Sequence, residues 1–131
     1  MGASSEAAAQ AAVQFFAVLS GGNEVPAGAG APNGSGVASL LLVGRSTVCY
    51  SVLVSGIDTP TEFHVHRGVA GTEGDVVVPF LPPTSGNPGS ASGCVTGSAV
   101  MLGAIRSTPT AFYVNVHTRN FPGGAVRGQL F

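Results

Sequence analysis

This chain of 131 residues contains no lysine and no tryptophan, and only 8% of it is charged. Each shortage excludes something. Five arginines scattered singly give no basic cluster to neutralise phosphates, so a nucleic-acid partner is not expected. No apolar run approaches the roughly 18 residues of a membrane span, so no membrane partner is expected either. Helical periodicity is not sustained beyond the Ala-rich start, and there is no internal repeat or linker. The glycines fit no phosphate-binding loop, the serines no nucleophile elbow, and no spare histidine exists to activate a serine. Glu73 and Asp75 share one loop and read as solvated acids rather than a glycosidase pair.

What is present is glycine (20), proline (9) and a hydrophobic fraction of 44%, which argues against disorder. Short Val/Leu/Phe runs punctuated by Gly and Pro indicate one all-β domain, an antiparallel sandwich or barrel of about eight strands. The strands are expected near 13–20, 36–43, 47–55, 62–66, 75–80, 94–100, 111–118 and 124–131. Arg45-Ser46 marks a tight hairpin, and residues 81–93, rich in Pro, Ser and Gly, read as a mobile loop. Residues 1–12 read as a disordered Ala-rich tail and 13–131 as the domain. The start lacks the charged head and apolar stretch of a signal peptide.

Cys49 and Cys94 lie too far apart for C-x-x-C metal binding. As a disulfide they fit an oxidising compartment, secreted, extracellular or periplasmic; two buried free thiols are the other reading.

All three histidines fall in two β-type segments. In Glu62-Phe63-His64-Val65-His66, alternation puts both imidazoles on one face and Phe63 and Val65 on the other. In Phe112 to Thr118, the apolar Phe112, Val114 and Val116 oppose Tyr113, Asn115 and His117. If both apolar faces line a core, three imidazoles lie outside it on strands that can be neighbours. Two imidazoles about 7 Å apart at Cα converge on one ion when the strand twists, and a third completes a three-nitrogen face with an open position. That donor set suits copper, with zinc as the alternative. Three ordinary hydrogen-bonded histidines are the competing explanation.

Four motifs carry a resemblance. Leu19-Ser20-Gly21-Gly22-Asn23-Glu24-Val25-Pro26, His64-Val65-His66-Arg67-Gly68-Val69-Ala70-Gly71, Tyr113-Val114-Asn115-Val116-His117-Thr118 and Pro122-Gly123-Gly124-Ala125-Val126-Arg127-Gly128-Gln129-Leu130 resemble, in order and spacing, the CHRD domain named from chordin. The resemblance covers about residues 15–131 and implies a small secreted module. Pro26-Ala27 and Ala125-Val126 depart from the family's common residues without touching a histidine.

A looser resemblance is to copper–zinc superoxide dismutase, an immunoglobulin-like β-sandwich whose copper strand is similar to Phe63-His64-Val65-His66. Val116-His117 and the Gly-rich turn before Arg127 are similar in character to further parts of that enzyme. The chain has no histidines left for the zinc site, so this resemblance implies at most a copper-only, three-histidine centre. Superoxide or another small oxidant would be its partner.

Arg127 is the candidate for guiding an anion to the metal, against a structural role bonding backbone carbonyls or Glu24. Glu24, Tyr113 and Asn115 are candidates for supporting the ligands from behind, against ordinary loop or sheet-surface roles. Exposed sheet edges leave a homodimer open, and a non-enzymatic extracellular interaction module with structural histidines is the rival reading of the whole chain.

Overall fold

The computed structural model describes residues 12–131; the tail read over 1–12 lies outside these except for Ala12. Among the described residues eight strands form one antiparallel sheet: β1 (Val13–Ser20), β2 (Ser35–Val43), β3 (Thr47–Ser55), β4 (Pro60–Arg67), β5 (Val76–Phe80), β6 (Gly89–Thr96), β7 (Phe112–Thr118) and β8 (Val126–Gln129). Their order is β5-β4-β7-β8-β1-β2-β3-β6. The sheet curls on itself so that its two ends meet across the core. Tyr50 on β3 stacks on Phe80 of β5, with ring centroids 4.4 Å apart, and meets Phe63 of β4 edge-on at 5.6 Å. The architecture is therefore a nearly closed barrel-like sheet, as the alternating pattern predicts.

Period-two alternation explains which face is inside. On β3, Val48, Tyr50, Val52 and Val54 are buried while Ser51 and Leu53 are exposed. The β2–β3 hairpin turns at Gly44-Arg45-Ser46, where Gly44 has φ 60°, a conformation that costs glycine little. Cys49 and Cys94 are direct partners in the β3–β6 register and form a disulfide on the outer face. The oxidised reading of the pair is correct, and neither sulfur belongs to the core.

Two expectations need correction. Ala99–Ser107 is a helix, α1, where strand was expected to run to residue 100. Ser98 caps it by accepting a hydrogen bond from the Met101 N–H, and its Leu102 and Ile105 are fully buried in the core. Between β6 and β7, burial of this short apolar stripe outweighs the β-propensity of Val100. The strand itself lies earlier, from Gly89, within the stretch expected to be loop. Register with β3 orders these Gly and Ser residues, whose own propensity is low. The rest of that stretch is tied down too: Gly56 N–H donates to Asn87 Oδ1.

Candidate metal centre

β4 and β7 are adjacent and antiparallel, with His64 opposite Asn115, His66 opposite Tyr113 and Glu62 opposite His117. Phe63, Val65, Phe112, Val114 and Val116 fill the core side. The other side carries all three imidazoles, as expected, yet it is not open to water. Loops around residues 68–75 and 119–125 fold over it, and each histidine is at most 9% exposed. One potential ligand atom from each of His64, His66 and His117 lies within 4.8 Å of the others.

Hydrogen bonds set the ring tautomers. His66 Nδ1 lies 3.0 Å from the Gly74 carbonyl and His117 Nδ1 lies 2.9 Å from the Pro122 carbonyl. A carbonyl only accepts, so both Nδ1 atoms carry the proton and both Nε2 atoms present lone pairs. His66 Nε2 is buried without a hydrogen-bond partner. His117 Nε2 points at His64 Nδ1, 3.2 Å away, while His64 Nε2 lies 3.4 Å from the exposed Glu62 carboxylate. A neutral His64 has one proton for these two neighbours. Given to Glu62, it leaves two lone pairs facing each other; given to His117, it leaves a lone pair facing a carboxylate. Double protonation is disfavoured, because burial first, then His117 and His66, lower the His64 pKa. Burial likewise lowers that of His66. A cation among the three nitrogens removes this conflict and partners the orphaned His66 Nε2, so the donor set fits a metal.

The residues expected to support the ligands sit around it. Tyr113 lies parallel to His66, interplanar angle 2° and centroids 4.7 Å apart. The Arg127 guanidinium lies 3.4 Å from the Tyr113 centroid. Because β4 and β8 flank β7, the three groups form a stack running His66, Tyr113, Arg127. Tyr113 OH accepts from the Gly74 N–H, in the residue whose carbonyl holds His66. Asn115 is buried near both the Glu24 carboxylate and His66, and its Oδ1 has no hydrogen-bond partner. Glu24 touches no histidine; it is buried beside Arg127, and desolvation pushes its carboxyl up to about 7 against the pull of Arg127 and Asn115. A side chain on Gly124 would collide with the Glu24 carboxylate.

Arg127 is buried too. It donates to the Val69 carbonyl and to Gln129 Oε1, each at 3.1 Å, and burial lowers its pKa. Gln129 in turn donates to the Gly68 carbonyl at 3.0 Å. The end of the chain thereby clamps the loop after the paired histidines.

Two contributions escaped the sequence reading. Glu62 shares the face of His64 and is visible in the alternation, two residues before it. The carbonyls of Gly74 and Pro122 leave no trace in residue type. A cleft of about 580 Å³ opens beside the centre rather than on it, between residues 22–27 and Ala70, Gly71 and Gln129. No helix among the described residues is long and apolar enough to cross a membrane.

No curated protein matches this chain. The CHRD domain family model matches residues 15–130, which include the loop of Glu24, both histidine strands and the clamp of Arg127. The chain belongs to the CHRD domain family.

Proposed function

We propose that this domain holds one metal ion on His64 Nδ1, His66 Nε2 and His117 Nε2, with copper preferred and zinc second. The observation that carries the reading is the 3.2 Å approach of His64 Nδ1 to His117 Nε2, in a triad whose other ring nitrogens are engaged by Glu62, Gly74 and Pro122. Nitrogens about 2.0–2.1 Å from one ion are roughly 3 to 3.4 Å apart when the angle between them is about 90–110°. Three neutral imidazoles favour copper by the ordinary affinity order.

With an open position, bound copper would supply one-electron chemistry toward superoxide or another small oxidant. In that reading Arg127 provides a fixed positive charge in the same layer and attracts an anion, although its donors are turned to Val69 and Gln129. Disulfide formation and CHRD membership support a secreted protein, extracellular or periplasmic. The same membership supports a second reading, a non-enzymatic extracellular interaction module.

Copper(II), and separately zinc(II), added to metal-stripped protein tests the proposal. One tight copper with a nitrogen-rich electron paramagnetic resonance signal, lost in His66→Ala, is expected. No stoichiometric binding of either ion would sink the metal reading and leave the module.

A further inference from the structure

Not one of the residues of β1, β2, β3 and β6 is charged, and these four strands are consecutive in the sheet. Their outward side chains follow a pattern. Val18, Val37 and Leu53 are register partners and form an apolar row across three strands, 60%, 51% and 59% exposed. Two residues along on one side lies a serine row, Ser20, Ser35 and Ser55, with Ser35 and Ser55 hydrogen-bonded at 3.1 Å. Two residues along on the other side are Phe16, Ser39 and Ser51, with the serines bonded at 2.7 Å. Phe131 extends the apolar area beside Phe16, ring centroids 6.2 Å apart. A depression of about 430 Å³ beside Val37 and Leu53, bordered by Pro88, gives the face relief.

We propose that this face pairs with the same face of a second copy of the chain, about a two-fold axis passing over Val37 in the plane of the interface. Run along the strands or across them, such an axis lays the apolar row on its own copy and Ser35 and Ser39 on serines, while Phe16 meets Ser51 in the first case and Ser20 in the second. Isologous contact requires that self-complementarity. A serine hydroxyl both donates and accepts, so serine opposite serine leaves neither without a partner. A face without charge brings no like charges together, and it offers no anchor to a partner recognised by charge. Laid flat, four strands of eight or nine residues at about 3.3 Å rise and about 4.8 Å spacing would span roughly 550 Å². Two copies then cover at most roughly 1,100 Å² on this curled sheet, close to the ~1,000 Å² expected of a specific interface. The metal-site strands β4 and β7 take no part, so the inference is independent of the metal reading.

Sedimentation equilibrium of the full chain from about 1 to 100 µM tests it. The native protein is expected to be dimeric at tens of micromolar. Val37→Glu and Val37→Lys are each expected to be monomeric over the same range, because each sets like charges against themselves at the axis. An equimolar mixture of the two should dimerise again, which separates loss of the interface from loss of the fold, and unchanged melting curves should confirm folding. A native protein monomeric at 100 µM would overturn the proposal and leave the face to a different occupant. So would a Val37→Glu variant that remains dimeric, or a mixture that stays monomeric.

Discussion

The β1–β2–β3–β6 part of the sheet and the β4–β7–β8 part obey the same alternation, and their inner faces share one core. Their outer faces differ. The first carries no charge and leaves Val18, Val37 and Leu53 in solvent. The second carries three imidazoles, Asn115, Tyr113 and Arg127, all buried under loops. Polar residues on an outer face become a site here because loop carbonyls at Gly74 and Pro122 fix the rings, and the loop after β4 is itself clamped by Arg127 and Gln129. Without that cover the same histidines would be solvated and free to turn.

The sharpest way to test this division is to compare the two faces of one strand. Phe63→Ala removes a fully buried ring packed against Tyr50 and Phe80, and urea unfolding should report a loss of about 3–5 kcal/mol. His64→Ala, one residue away, should leave metal-free stability nearly unchanged. Equal losses at both positions would break the comparison.

Reducing the disulfide acts on the other part of the sheet. Closing a loop between cysteines 45 residues apart is worth about 4 kcal/mol on the chain-entropy account, so the denaturation midpoint should fall by that equivalent. Copper stoichiometry, measured where the protein is still folded, should not change. Loss of the ion on reduction would mean that the two parts are coupled.

His66→Ala should weaken copper binding by at least about 100-fold, more than the 10–100-fold usual for residues behind a ligand. Tyr113→Phe keeps the stacked ring and loses only the hydroxyl, so titration should show a drop of about tenfold or less.

The smallest effects are in the pH dependence of the metal-free protein. His64 and His66 titrate below their ordinary value of 6.5 when folded. Their contribution to stability is therefore complete above 6.5 and is lost as the pH falls through the lower folded values. Glu24 has the opposite sign: raised from 4.5 to about 7, it favours the folded state most below 4.5 and loses that advantage as the pH rises through 7. Glu24→Gln should consequently raise the melting temperature, relative to wild type, more at pH 7.5 than at pH 5. An equal difference at both would show that Glu24 ionises normally.

Much of this was legible in the chain. The alternation in Val13–Ser20 and Thr47–Ser55 marks both strands to the residue, because one side of each is wholly apolar. The shared side of His64, His66 and His117 follows from period two once both apolar faces are turned to one core, whereas the adjacency of β4 and β7 comes from the fold. Helix α1 was not legible, since a short apolar run reads equally as strand and only the Ser98 cap with Leu102 and Ile105 argues otherwise. The first part of β6, residues 89–93, was hidden because Gly, Ser and Ala contribute little of their own, and pairing with β3 orders them, whereas 94–96 read as strand. Burial of the histidines and the ring nitrogen each presents depend on carbonyls brought in from loops, which residue types do not encode.

The central claim is that three particular nitrogens meet at one ion. Anomalous diffraction at the copper edge from crystals grown with copper(II) tests it most directly. One peak about 2.0–2.1 Å from His64 Nδ1, His66 Nε2 and His117 Nε2 is predicted. Copper bound instead through His64 Nε2 beside Glu62, or no peak between β4 and β7, would contradict it.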